Sequence, residues 1–301
     1  MVGRPEALTR PSSRDGFSPA VPALLGAMTV WGASYVVTKS ALAAAGPVTV
    51  LFLRLAIAAV VLAPFAVRKG FGLRDIFRTR FALFGLTGMA LHLGFEIVGL
   101  EFTSASSAAL VIATAPAVTV AFSVILLRER LSLARWVGLA FSVAGVVLVT
   151  GGQSAAGYPL AWLGNLLVFA GVVTWGVFTV QGKRLSEGYH WLVSTTAATA
   201  FAAILIAPLM VGEILLTGTP VFDAGSVASV IYLGVGASAL AYGLWNFALE
   251  HVDASVAGPF INLVPVLGVA IALLVGETMT PVQVAGGIVV GVGVFLSYRR
   301  S

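Results

Sequence analysis

Two groups of residues in this chain could do chemistry inside an apolar environment. In the stretch 85–99, Gly85, Gly88, His92, Glu96 and Gly99 recur every three or four residues, which puts them on one face of a helix, flanked by Thr87 and Phe95. Histidine titrates near physiological pH, so His92 can serve as a substrate contact or a proton site; the plainer reading is a hydrogen-bonded structural residue among packing glycines. Nearby apolar stretches hold Lys39 and Arg54. A lone charge inside a membrane costs at least ~2.5–3.5 kcal/mol on insertion scales, so Arg54 is expected to pair with Glu96 or Glu101. Such a pair would be a structural clamp, an outer gate or a substrate-carboxylate site. The second group is uncharged. Trp31, Tyr35 and Thr38 share one helical face, as do Trp175 and Thr179, then Ser238, Tyr242 and Asn246, and finally Ser255, Gly258 and Asn262. Gly258-Pro259 interrupts helical hydrogen bonding and can free polar groups to meet a ligand, although a packing kink is the commoner use of proline.

Other chemistries find little footing. There is no HExxH, GxSxG or Walker sequence, and His92, His190 and His251 are too far apart in sequence to pair as metal ligands on one helix. The chain has no cysteine, which removes disulfides, thiolate chemistry and Cys-ligated zinc. No cofactor and no metal are expected. The net charge of +5 could suggest nucleic acid, but the basic residues lie between apolar runs and report membrane topology instead.

The elements that must carry these residues are membrane spans. Hydrophobic residues make up 59% of the chain and charged residues 10%, against roughly 25% charged in a soluble domain. Apolar runs of span length recur at about 20–45, 47–67, 80–100, 103–127, 132–150, 158–182, 190–214, 226–249, 253–275 and 280–298. With the N-terminus inside, 15 of the 17 Lys and Arg fall in inside segments and the other two, Lys39 and Arg54, within spans. That partition predicts a multi-pass membrane protein with an even number of spans and both ends cytoplasmic. Residues 1–19 read as a cytoplasmic tail.

The chain also repeats itself. LEFTSASSAALVIATAPAVTV at 100–120 and LEHVDASVAGPFINLVPVLGV at 249–269 align without a gap and share Glu101/Glu250, Ser106/Ser255 and Pro116/Pro265. Trp31-Gly32 and Lys39 lie over Trp175-Gly176 and Lys183. One unit of about 140 residues is used twice, over 20–150 and 158–299. Five spans per unit is an odd number, so the second unit must be inverted, and the basic loop 68–80 accordingly corresponds to 213–225, which has no basic residue. The expected fold is all-α: ten transmembrane helices as two inverted five-helix repeats around a central cavity. Spans five and ten, with small residues at close-packing spacing (Gly138, Ser142 and Gly145 in one, Gly287 and Gly291 in the other), would lie at the periphery as scaffold or a dimer contact.

Trp31-Gly32…Lys39 with its echo Trp175-Gly176…Lys183, the segment starting at Arg54, and the proline-centred spans at Pro116 and Pro265 followed by Glu129 and Glu277 resemble the drug/metabolite transporter superfamily, in particular its ten-span EamA-type members. His92 with Trp175 resembles the YddG-type amino-acid exporters. The resemblance implies alternating-access export of small metabolites, amino acids being the leading class. The expected cavity wall is His92, Trp175, Tyr242, Asn246, Asn262, Trp31, Tyr35, Phe95 and Ser238. Arg54, Glu96, Glu101 and Lys39 would form a charge clamp or gate, and Pro116, Gly258, Pro259 and Pro265 would be hinges. The partners expected are a small-molecule substrate and the lipid bilayer, with the protein a monomer. A transporter of another metabolite or a cationic drug is the alternative, and a membrane enzyme or receptor a more distant one.

Overall fold

The structure is a computed structural model that describes residues 18–103, 114–150, 159–267 and 281–298, together with 108, 111 and 112. Every regular element among these is helical. In chain order they are α1 (Ala20–Leu42), α2 (Pro47–Val67), α3 (Thr79–Gly85 continuing through Leu86–Leu91 and His92–Phe102), α4 (Ala115–Leu127) and α5 (Leu133–Thr150). There follow α6 (Ala161–Leu185), α7 (Trp191–Thr217), α8 (Ala224–Ile231 through Tyr232–Leu240 and Ala241–His251), α9 (Ala254–Leu267) and α10 (Pro281–Tyr298). Five stretches are long and apolar enough to cross a membrane: Pro47–Val67, Thr79–Gly99, Ala161–Leu185, Trp191–Thr217 and Ala224–His251. Shorter apolar helices make up the rest. The outward side chains are themselves apolar, with Val60, Phe65, Ile125, Leu166, Leu209, Ile288 and Phe295 all exposed, as lipid contact requires.

Three helix starts are capped by carboxylates from distant parts of the chain. Pro47 opens α2 at a position whose N–H needs no partner, and the carboxylate of Glu213 on α7 accepts from the next two, Val48 and Thr49, at 3.0 and 2.8 Å. Glu129, just past α4, accepts from Ala254 N and Ser255 N and so caps α9. Glu250 accepts from Trp191 N at 2.6 Å, and His190 Nδ1 accepts from Leu192 N at 3.2 Å, which together cap α7. Lys183 Nζ closes the far end of α8 by donating to the carbonyls of Leu249 and Val252. The Glu129, Glu250, His190 and Lys183 contacts, with Arg184 donating to Leu126 O and Arg135 to Ser255 Oγ, knit one end of the bundle, which also carries Lys69 beside His190. This basic end contrasts with the neutral end, where α2 and α8 begin.

The packing respects the internal repeat. α1 packs on α8, and its exchange partner α6 packs on α3; α2 lies along α7, and α5 along α10. Exchanging the two units leaves that set of pairs unchanged. In the α5–α10 pair, Gly138 and Gly145 meet the α10 backbone at Gly293 and Gly286, and Gly293 meets Ser142. The close face of α10 is therefore Gly286, Val290, Gly293 and Ser297. A Cβ on Gly291 would meet nothing within 4 Å and one on Gly287 only Val266, so these two glycines lie off that face.

The repeat also reproduces a backbone defect. Leu86–Leu91 in α3 and Tyr232–Leu240 in α8 are wound as π-helix, and residue 88 of the first lies over residue 237 of the second in the register that aligns Leu100 with Leu249. A π turn displaces carbonyls from the regular ladder. The Gly88 carbonyl accepts from Tyr242 Oη at 3.2 Å, and the Ala237 carbonyl accepts from Trp31 Nε1 at 2.9 Å. Each displaced carbonyl is thus caught by an aromatic side chain of the opposite unit. The symmetry stops there. The Gly88 carbonyl is met by Tyr242 and not by Trp175, the counterpart of Trp31, whose buried Nε1 has no partner among the described residues.

Two predictions follow from these contacts. Trp31→Phe strands a buried carbonyl and should cost about 1–3 kcal/mol more than Trp175→Phe, which removes an unpartnered donor; thermal unfolding of the two variants in one detergent measures the difference. His190 is held below its usual pKa by burial and by Lys69, and its cap needs an unprotonated Nδ1. Its contribution is therefore full above pH ~6.5 and is lost as the pH falls from there through the folded pKa. His190→Asn, which caps without titrating, should lose less stability than the wild type between pH 7.5 and pH 5.5.

Candidate functional site

Trp175 sits at the middle of α6 and collects aromatic neighbours from three other helices. Its ring centroid lies 5.5 Å from Trp31, 5.0 Å from His92, 5.1 Å from Trp245 and 6.1 Å from Tyr242. Phe178, one turn along α6, lies 5.3 Å away and stacks on Phe84 at 4.3 Å. The edge-to-face angles of Trp31 with Trp175 (81°) and with Tyr242 (78°) are those that ring quadrupoles favour. Of the expected wall, the structure brings together Trp31, Trp175, Tyr242 and His92, and it adds Trp245 and Phe178, which the sequence reading missed. The available signal was spacing: Phe178 follows Trp175, and Trp245 follows Tyr242, by one helical turn. The rings fill the space they enclose, with Trp175 only 3% exposed and Trp245 fully buried.

Beside this cluster, toward the neutral end, lie the charged groups. Arg54 is 7% exposed, about two turns into α2, and its Nε donates to Ser238 Oγ at 2.8 Å. The expected pairing of Arg54 with Glu96 or Glu101 is not formed: among the described residues Arg54 has no ion pair, Glu101 is exposed, and Glu96 faces His92 instead. The reason lies in the π turn of α8, which carries Ser238 to the Arg54 side chain. His92 Nδ1 lies 3.0 Å from the Gly171 carbonyl, which can only accept, so Nδ1 carries the hydrogen. Nε2 then faces Glu96 Oε2 at 3.7 Å, longer than a hydrogen bond. A single proton added to this pair would draw the two together, so His92 and Glu96 can hold or pass a proton.

Other expected wall residues lie elsewhere. Asn262 donates through Nδ2 to Ser142 Oγ at 3.2 Å and so ties α9 to α5, away from the rings. Asn246 donates to Thr195 Oγ1 of α7, leaving its Oδ1 buried without a partner. Phe95 packs where α3 crosses Gly171 of α6. The side chains of Tyr35 and Lys39 lie outside the described residues. Among the expected hinges, Gly258 and Pro259 open a 3-10 stretch, Gly258–Asn262, and Gly258 lies against Thr119 and Pro116 of α4. That places the proline-bearing segments of α4 and α9 in contact; Pro265 follows in the last described turn of α9. A recess of about 450 Å³ between α2 and α7, lined by Phe52, Ala56, Val60 and Ala203 among others, offers only apolar side chains and so no means of selecting a polar solute.

The EamA-like transporter family matches this chain twice, over residues 18–151 and 162–299. Relatives are similar over nearly their whole length. An uncharacterized transporter of Archaeoglobus fulgidus is 28% identical over 91% of this chain and 96% of its own. A probable amino-acid metabolite efflux pump of Salmonella typhimurium is 28% identical, covering 95% of each chain. A probable terminal-alkyne amino-acid exporter of Streptantibioticus cattleyicolor is also 28% identical, over 94% of this chain and 95% of its own. A crystal structure that is 22% identical superposes with a TM-score of 0.80, covering 92% of this chain and 95% of that one, and so shares the fold. With both halves matched, the chain belongs to the EamA-like transporter family of the drug/metabolite transporter superfamily and is a multi-pass membrane transporter.

Proposed function

We propose that this transporter exports amino acids with aromatic or other apolar side chains across the bacterial inner membrane by alternating access, with both termini cytoplasmic and the two five-helix units inverted. One observation carries the reading: an aromatic cluster centred on Trp175 adjoins a polar group of Arg54, His92 and Glu96. Such a wall matches a solute with an apolar side chain at one end and charge at the other. The names of the Salmonella and Streptantibioticus relatives support amino acids as the class.

The mechanism follows from what holds each end. The basic end is closed by Glu129, Lys183 and Arg135, each reaching across to α8 or α9. His92 and Glu96 are more open than the rings below them. This arrangement fits a state sealed toward the cytoplasm. An entering side chain replaces ring-on-ring contacts by ring-on-substrate contacts, so opening the cluster strands little apolar surface. The unpaired Nε1 of Trp175 and Oδ1 of Asn246 gain partners only if the packing changes. Pro116 and the Gly258-Pro259 break supply the bending points where α4 and α9 touch.

Counterflow into proteoliposomes with a panel of labelled amino acids, with and without a pH gradient, tests this reading. Phenylalanine and leucine should be carried. Trp175→Ala and His92→Ala should each reduce flux at least about tenfold without loss of the folded protein, as removal of a buried aromatic or charged contact does. Dependence on the pH gradient would assign proton coupling to His92 and Glu96; independence would mean facilitated diffusion. Carriage of organic cations but of no amino acid would replace the reading with that of a drug exporter.

A further inference from the structure

We infer that Arg54 and Glu96 form a split ion pair that binds the two ends of a zwitterion, Arg54 taking the α-carboxylate and Glu96 the α-ammonium group. This rests on the amino-acid reading above and says which parts of the substrate are recognised. Arg54 is more than nine-tenths buried in α2, yet only its Nε has a partner, the Ser238 hydroxyl. Four further N–H donors on its two Nη atoms have none among the described residues, and together they form the planar fork that grips a carboxylate through two parallel bonds. Ser238 holds the guanidinium by its inner edge and leaves that fork free.

Glu96 is the complementary half. Among the described residues its carboxylate has one polar side-chain neighbour, His92 Nε2 at 3.7 Å, beyond hydrogen-bond length. Arg54 and Glu96 are near enough to feel each other's charge but do not form an ion pair. Two opposite charges kept apart in a low-dielectric site make a fixed dipole. The solute that fills it best presents the reverse dipole, and a free α-amino acid does. A simple amine or acid satisfies one charge and leaves the other stranded.

The internal repeat argues that this is a site rather than a structural clamp. In the register that places Trp31 over Trp175, Arg54 lies over Ala198; in the register that aligns Leu100 with Leu249, Glu96 lies over Trp245, His92 over Ala241 and Met89 over Ser238. The helices keep their packing at those positions in the other unit without any charge, so the fold does not need Arg54 or Glu96. Among the described residues, the charged groups next to the aromatic cluster, Arg54 and Glu96, lie on its side toward the neutral end. The zwitterionic end of the substrate therefore points there, and its side chain points toward Trp175, Phe178 and Trp245.

The test is competition against labelled phenylalanine in counterflow, using phenethylamine, which lacks the carboxylate, and 3-phenylpropionate, which lacks the ammonium group. In the wild type both analogues should compete at least about tenfold more weakly than phenylalanine, the cost of leaving one buried charge unmet. Arg54→Gln should weaken phenylalanine by that factor and leave phenethylamine nearly unchanged; Glu96→Gln should do the same relative to 3-phenylpropionate. The melting temperature of substrate-free Arg54→Gln should equal or exceed the wild-type value, since an unpaired buried charge has gone. Equal competition by all three compounds in the wild type overturns the inference without recourse to any variant. So does an equal loss for every compound in Arg54→Gln with a lowered melting temperature, the mark of a clamp. Failure of the wild type to carry any amino acid overturns the function proposed above and this inference with it.

Discussion

Inside a bilayer every backbone polar group must find its partner within the protein, and the two π turns are where this constraint shapes the molecule. Each turn displaces a carbonyl from its helix, at Gly88 and at Ala237. Each carbonyl is recovered by an aromatic donor from the other unit, Tyr242 or Trp31. These bonds stitch the units together at the level of the aromatic cluster. They also fix the orientation of the rings, because an indole that donates to a given carbonyl can face only one way. The positions of Ser238 and hence of Arg54 follow from the same turn in α8.

The same constraint governs the helix ends. Glu129, Glu213 and Glu250 accept backbone N–H groups at the starts of α9, α2 and α7, and Lys183 takes carbonyls at the end of α8. These charged residues are easily mistaken for transport machinery when seen in a hydrophobic sequence. They are better understood as caps supplied across helix boundaries, where a short connection leaves no room for a local one. Because each cap joins two segments distant in sequence, the same bonds that satisfy the backbone also tie helices together at both ends of the bundle.

Function enters where the two units stop being equivalent. A pair of identical units would present the same wall to both sides of the membrane. Here the polar groups Arg54, His92 and Glu96 come from the first unit alone, and their counterparts Ala198, Ala241 and Trp245 are apolar. Tyr242 has no aromatic counterpart, Leu93 standing in its place, and the buried Nε1 of Trp175, unlike that of Trp31, has no partner among the described residues. The asymmetry gives the cluster a polar side and an aromatic side.

Much of this was legible in the sequence, because a membrane span announces itself by length and composition whatever its neighbours are. The expected span limits and the helices agree to within about a turn where residues are described. The repeat was readable because Trp31/Trp175, Lys39/Lys183 and Pro116/Pro265 keep register. Periodicity put His92 and Glu96 on one helical face, and adjacency on a face survives folding. What periodicity does not encode is which helix that face meets. Arg54 reaches Ser238 across 184 positions of sequence rather than the glutamates nearer to it, and Asn262 turns to Ser142 rather than to the cluster. Both outcomes depend on rotations of whole helices about their axes. The π turns set one of these rotations, and close glycine contacts such as Gly293 against Ser142 set another. An extra residue in a helical turn rotates everything beyond it, and no local pattern of residues reports that change. Tertiary packing therefore decided the partners of each polar side chain, while sequence alone determined that those side chains would lie within the membrane.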